Sequence, residues 1–300
     1  MPEMQPIVEI DALRRGYATG ADVLNEVSFD VEPGQVVALL GRNGAGKTTL
    51  IRCLLGMLEA QGGAVRLFGL DPREQPVEVK RRLGYVAEDQ ILPPFFRVRE
   101  IIDLHRGLFP TWDDELAERL GKRFLVPPEA RIKQLSKGQA RQVALLCAVA
   151  HRPELLLLDE PAGGLDPAAR RNFLETSIEL LNEAGTTILF SSHHMSDVER
   201  MADRVVMLAE GQVRLDSAMD ALRERYALAL VPCQDDSDVV EQLKGVEGCL
   251  VARRRMGTAR AVFALEPDAC EARVRAAVSE RAVRVTSVGL EEMFIELLGD

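Results

Sequence analysis

The chain has 300 residues, 47% of them apolar, and a formal net charge of −10 at pH 7. That length and apolar fraction suit one large domain or two of unequal size with a buried core, and no window approaches 18 consecutive apolar residues, so no segment spans a bilayer unaided. The acidic balance speaks against broad nucleic-acid binding, which needs a basic face, but it leaves room for a local phosphate site.

Residues 1–12 carry acidic side chains and no long apolar run, unlike a secretory signal, so a cytoplasmic location is expected. Residues 7–31 read as short strands broken by Gly16 and Gly20. Val36–Leu40 is a continuous apolar run ending in glycine, which suits a buried strand. A glycine-rich turn follows, then a helix expected over 48–58. Residues 98–149 are mostly helical in pattern, interrupted by Pro110, Pro127 and Pro128. Leu155–Leu158 is a second buried strand and 187–191 a third, with an amphipathic helix between them. Such alternation predicts an α/β fold with a parallel sheet covered on both faces. Near Tyr226 the character changes. Strands are expected at 227–231, 249–254, 260–265 and 284–288, with helices at 237–244 and 268–280, and a last helix carries Leu290, Met293, Phe294, Leu297 and Leu298 on one face. The order βαββαβ predicts a small ferredoxin-like α+β domain. The expected boundaries are 1–225 and 226–300. The five cysteines (Cys53, Cys147, Cys233, Cys249, Cys270) form no CxxC pair and are odd in number, which favours reduced, packed thiols.

Two stretches carry chemistry. Gly41-Arg42-Asn43-Gly44-Ala45-Gly46-Lys47-Thr48 fits the phosphate-loop spacing G-x-x-x-x-G-K-[ST]. Its glycines let backbone N–H groups turn inward around phosphate oxygens, and the following helix N-terminus adds partial positive charge. Lys47 is expected to reach the β- and γ-phosphates and the Thr48 hydroxyl to ligate Mg²⁺. Gly41, Asn43, Gly44, Ala45, Gly46 and Thr49 complete the nucleotide cradle. Leu155–Leu158 then ends in two carboxylates. Asp159 is assigned to Mg²⁺ and Glu160 to the general base that orients or deprotonates the attacking water.

Leu135-Ser136-Lys137-Gly138-Gln139 resembles the ABC signature LSGGQ, with Lys137 in place of a glycine. Together with Gly164-Leu165-Asp166 and Ser191-Ser192-His193, in this order, it makes residues 5–225 similar to the nucleotide-binding domain of ABC transporters. The resemblance implies a P-loop NTPase cassette with a RecA-like core, an antiparallel β subdomain and a helical subdomain. It also implies ATP and Mg²⁺ as ligands, and a head-to-tail dimer with a second copy or a paralogous ATPase. An integral membrane transporter subunit is the further partner, which puts the chain on the inner face of the cell membrane; no nucleic acid is expected. Tyr17 matches the aromatic residue that stacks on adenine, the plainer reading being a tyrosine packed near a turn. Ser136 and Gly138 match signature positions at the γ-phosphate of the opposite subunit, and Gln139 of the same signature is expected to be ATP-binding. Asp166 matches the aspartate that couples the two sites. His193 matches the switch histidine at the γ-phosphate, leaving His194 a bystander and His105 and His151 as surface or packing residues. Glu88 stands where the family has the Q-loop glutamine. Its carboxylate can still ligate Mg²⁺ or water but lacks the amide donor, and a shifted alignment would put Gln90 there instead.

Within the family, Glu88, LSKGQ, the terminal LEEMF and the stretch LFPTWD over 108–113 resemble bacterial exporter ATPases. ATP hydrolysis driving export through a separate membrane subunit is therefore the leading reading. A soluble ABC ATPase acting on ribosomes or DNA is the alternative. Pro93-Pro94-Phe95-Phe96, just after Glu88, reads either as a stiff loop with two apolar anchors for the membrane subunit or as two rings packed in the cassette's own core. Residues 226–300 show no paired carboxylates, phosphate loop or metal-ligand spacing, so no catalysis is expected there.

Overall fold

The computed structural model describes residues 5–17, 22–88, 92–161, 163, 165, 167–233, 238–278 and 281–298. In chain order these form β1 (Val8–Gly16), β2 (Asp22–Val31), β3 (Val36–Leu40), α1 (Lys47–Leu54), β4 (Gly62–Leu67), α2 (Pro76–Arg81), β5 (Leu83–Val86), α3 (Val98–Leu108), α4 (Asp114–Arg123), α5 (Lys137–Val149), β6 (Leu155–Leu158) and α6 (Pro167–Ala184). There follow β7 (Thr187–Ser192), α7 (Met195–Met201), β8 (Arg204–Ala209), β9 (Gln212–Ala218), α8 (Met219–Arg225), β10 (Ala227–Pro232), α9 (Asp238–Lys244), β11 (Cys249–Arg255), β12 (Thr258–Phe263), α10 (Pro267–Ala277), β13 (Arg284–Ser287) and α11 (Leu290–Leu298). They gather into two compact units, Met1–Val213 and Arg214–Asp300. The division falls within β9, ahead of the expected boundary at 225/226.

A six-stranded sheet has the order β5-β6-β7-β3-β8-β9, and its first five strands belong wholly to the first unit. Strands β5, β6, β7, β3 and β8 run parallel. Every residue of β3, β6 and β7 is buried, as a parallel sheet covered on both faces requires. A second, antiparallel sheet has the order β2-β1-β4. Here β1 and β2 are longer than the short, broken strands expected, because shifts of register between Ile10 and Leu13 and again near Arg15 absorb extra residues without ending the ladder. Helix α1 stops at Leu54, short of the expected 58, because Gly56 at φ +67° turns the chain back against the Pro72 carbonyl. Helix α4 is capped by Asp113, whose carboxylate accepts from Leu116 N at 2.8 Å. Helix α5 starts at a reciprocal Ser136–Gln139 capping box. Among the described residues, no helix is long and apolar enough to cross a membrane.

One turn depends on glycine. Between β3 and α1, Gly46 sits at φ +105°. A Cβ there would lie 2.7 Å from Leu24 Cδ2 and 2.9 Å from the Val23 carbonyl oxygen, so the loop passes hard against β2.

The second unit has a sheet in the order β11-β12-β10-β13, every neighbouring pair antiparallel. Strand β12 lies between β10 and β11, the split βαβ order of a ferredoxin-like fold. Ala227, Ala229, Val231, Ala261 and Phe263 are buried with Val239 and Leu243 of α9 and Cys270 and Val274 of α10. The alternate positions Leu228 and Val262 are buried too. Arg260, also on that alternate set, donates to Glu296 of α11, whose Leu290 and Met293 are fully buried. Phe294 and Leu298 of α11 are only half-buried. All five cysteines are free; burial pushes the Cys147 thiol up to about 12 and Cys270 up to about 11, so both stay protonated and packed.

Two outcomes are expected. Gly46→Ala should destabilise the chain by at least about 1–2 kcal/mol in urea unfolding, from the left-handed backbone alone, and should destroy the loop's geometry. A chain ending at Arg225 keeps β9 and α8 and should unfold in one cooperative transition while still binding ATP. Loss of that transition would make residues 226–300 part of the cassette's own fold.

Candidate functional site

Strands β5, β6, β7 and β3 end at one edge of the sheet, held in step by parallel pairing of Val86 with Leu158, Leu158 with Phe190, and Leu40 with Ser192. In open α/β sheets the crevice outside the carboxyl ends of the strands is where ligands bind. The residues following these four strands converge there. A cavity of about 370 Å³ is lined by Arg42, Asn43, Gly44, Gly46, Lys47, Thr48 and Thr49 of the loop and α1, by Glu88 after β5 and by Glu160 after β6. Val23 of β2 closes one side. A larger, mostly apolar cavity of about 680 Å³ lies among α3, α4 and α5 and holds none of these groups.

Lys47 and Glu160 are both buried, with Nζ 3.1 Å from Oε1. The ammonium also donates to the carbonyls of Gly41 at 2.7 Å and Arg42 at 3.3 Å. Glu160 Oε1 has no hydrogen bond of good geometry, so its contact with Lys47 is chiefly electrostatic. Its Oε2 lies 2.8 Å from His193 Nδ1. Glu160 itself sits at φ +44°, a left-handed conformation that costs about 1–2 kcal/mol for a residue with a Cβ and clusters at functional sites.

Asp159 is 1% exposed. It accepts from Thr48 Oγ1 at 3.3 Å and from Ser191 Oγ at 2.7 Å. The same Ser191 hydroxyl accepts from the Glu160 amide at 2.8 Å, so one side chain of β7 braces both carboxylates. Burial and the nearby Asp159 carboxylate together push the Tyr85 phenol up to about 12. Ser191 was read in the sequence only as part of a motif; its bracing role depends on β6 and β7 lying side by side.

The other expected residues fall as follows. Gly41 is buried, and a Cβ there would meet the Leu208 carbonyl oxygen at 2.6 Å. Ala45 is buried, its amide donating to the Arg42 carbonyl at 3.1 Å. Tyr17 is exposed, with its hydroxyl 3.3 Å from Thr49 Oγ1 and Arg15 over its ring. Glu88 is exposed on the cavity wall. Ser136, Gly138 and Gln139 head α5 but are not among the residues lining the cavity. Asp166 and Gln90 lie outside the described residues. His194 packs against His193 with the rings tilted by 38°; burial, with His193 and Arg170 nearby, lowers its pKa. His151 is buried against Phe109, and burial brings it down to about 4, so it is a neutral packing residue at physiological pH. Phe95 and Phe96 are 70% and 44% exposed, which sets aside their packing in the core.

The family described as "ABC transporter" matches residues 24–163. The Nod factor export ATP-binding protein I of Paraburkholderia xenovorans is 36% identical over 234 residues, which are 74% of this chain and 73% of that one. The aliphatic sulfonates import ATP-binding protein SsuB of Escherichia coli is 34% identical, over 78% of this chain and 89% of that one. A solved structure of an ATP-binding subunit of an ABC transporter, 31% identical, superposes with a TM-score of 0.66 over 72% of this chain and 92% of its own. The two relatives work in opposite directions by name, so similarity leaves the direction of transport open. On the phosphate loop, the paired carboxylates and these likenesses, the chain belongs to the ABC transporter family, as one of its ATPase, ATP-binding subunits.

Proposed function

We propose that the chain hydrolyses ATP with Glu160 as general base and that turnover drives export through a separate integral membrane subunit. The observation that carries the catalytic reading is the Glu160 carboxylate held between Lys47 and His193 at the mouth of the phosphate loop. A triphosphate in that loop competes for the Lys47 ammonium. As Nζ turns to the phosphate oxygens, Oε1 becomes available to a water, while His193 keeps Oε2 and so keeps the carboxylate's orientation. The water's proton passes to Glu160 as its oxygen attacks the γ-phosphorus, and the bond from that phosphorus to the β–γ bridging oxygen breaks, with the electron pair leaving on ADP.

The oxygen donors of Thr48, Asp159 and Glu88 are the hard ligands that suit Mg²⁺. Among the described residues, no group of three or more His, Cys, Asp or Glu forms a cage for a metal by itself, which fits an ion that keeps waters and shares substrate phosphates. When bound, Mg²⁺ would neutralise charge on the β- and γ-phosphates.

The signature residues Ser136, Gly138 and Gln139 head a helix away from the cavity wall. That supports a dimer in which each copy, or a paralogous ATPase, presents them to its partner's nucleotide, with Tyr17 stacking on adenine and Asp166 coupling the two sites. The exposed pair Phe95–Phe96, on a loop stiffened by two prolines, supports docking of the membrane subunit on the inner face of the membrane. Export is favoured by the exporter-like Glu88 and LSKGQ. Inside-out vesicles carrying the complex should then accumulate a solute from cytoplasmic extract when given ATP; depletion of a preloaded solute would indicate import.

Glu160→Gln should retain ATP binding, lose hydrolysis by about 100-fold or more, and accumulate an ATP-bound dimer in size-exclusion chromatography. Near-normal turnover would remove Glu160 from the role of base. Replacing Phe95 and Phe96 together by Ser should leave soluble hydrolysis within about twofold and abolish copurification with the membrane subunit; unchanged copurification would place the docking surface elsewhere.

A further inference from the structure

Arg141, on α5 one helical turn beyond Gly138, spreads its guanidinium over three backbone carbonyls. Nη1 donates to Pro161 O at 3.0 Å and to Gly163 O. Nη2 donates to Glu88 O. The three acceptors come from two loops, one after β5 and one after β6. Their oxygens carry like partial charges, and the guanidinium draws them to one point.

Both loops end in chemistry. Glu88 lines the cavity. Pro161 directly follows Glu160, whose carbonyl accepts from Gly163 N at 3.0 Å and closes the turn that presents the base. The strained backbone at Glu160 is thus braced on one side by Ser191 and on the other by Arg141. A planar fork with five donors can hold three acceptors in a fixed arrangement; a lysine ammonium, a compact charge on a flexible stem, cannot reproduce it. The anchor itself rides on the helix whose first turn is the signature.

We propose that Arg141 is a positioning residue for hydrolysis: it fixes the Glu88 loop and the Glu160 turn to the signature helix, so that the base is correctly placed only when that helix is correctly seated. This rests on Glu160 acting as the base. Because Arg141 is not itself among the residues lining the cavity and bonds the backbone carbonyls of Glu88, Pro161 and Gly163, its loss should fall on turnover rather than on nucleotide binding. A misplacement of about 1 Å is enough to slow a reaction about 100-fold.

The test uses the full chain, its Arg141→Lys and Arg141→Gln variants, and Mg-ATP. Both variants should lower kcat by about 10- to 100-fold, with KM for ATP and the equilibrium affinity measured in a Glu160→Gln background changing less than about threefold. Their melting temperatures should stay within a few degrees of the parent. Unchanged kcat in an active parent would overturn the proposal and leave the role of Glu160 intact. Parallel loss of affinity, turnover and melting temperature would also overturn it, by making Arg141 a structural staple. Recovery of full kcat by the lysine variant would do the same, since a point charge would then suffice. An inactive parent chain would instead overturn the hydrolytic reading on which the proposal stands.

Discussion

The site is organised by one buried ion pair, Lys47 with Glu160, whose side chains are 6% and 7% exposed. Withdrawing an ammonium and a carboxylate from water is unfavourable unless their remaining valences are met. The ammonium meets them with the Gly41 and Arg42 carbonyls, and the carboxylate with His193. Three loops, after β3, β6 and β7, are therefore tied through the side chains of Lys47, Glu160 and His193. The tie is possible only because β7 lies between β3 and β6 in the sheet, with their ends in step. It is also a contact that an anionic group entering the loop must compete for, which on the proposed mechanism would link nucleotide binding to release of Glu160.

Around this pair the backbone is held in conformations it would not choose alone. Gly46 takes a left-handed turn with no room for a Cβ, and Glu160 takes one despite having a Cβ. Such strain persists where the surroundings over-determine it. Here they do so through the Ser191 hydroxyl, bonded to Asp159 and to the Glu160 amide, and through the Arg141 fork on the following turn. Rigid strands below and two braces above leave the carboxylate few alternative positions.

These groups explain ATP chemistry and say nothing of cargo. A relative named for export and one named for import are about equally similar to the chain, as expected if the cassette supplies a common cycle and the membrane subunit supplies direction and specificity. The second unit is a sheet with buried residues on both faces.

Much of this was legible in the sequence because the physics involved is local. A phosphate loop needs eight consecutive residues, since one turn of backbone makes the cradle; an apolar run closing on two acids, as at Leu155–Glu160, needs six. The strands and helices of 226–300 stand within a few residues of where alternation and helical spacing put them. Short strands such as β5, with four residues, and β4, which opens on two glycines, carry too little pattern to be read without their neighbours. The length of β1 and β2 was hidden because a bulge looks like a break in alternation. What only the tertiary structure decided is which distant groups meet: Ser191 with Asp159, His193 with Glu160, Arg141 with the carbonyls of Glu88 and Pro161, and the exposure of Phe95 and Phe96. Each of these is set by strand order and helix placement, which depend on the summed burial of the whole core, so no short stretch of residues encodes them.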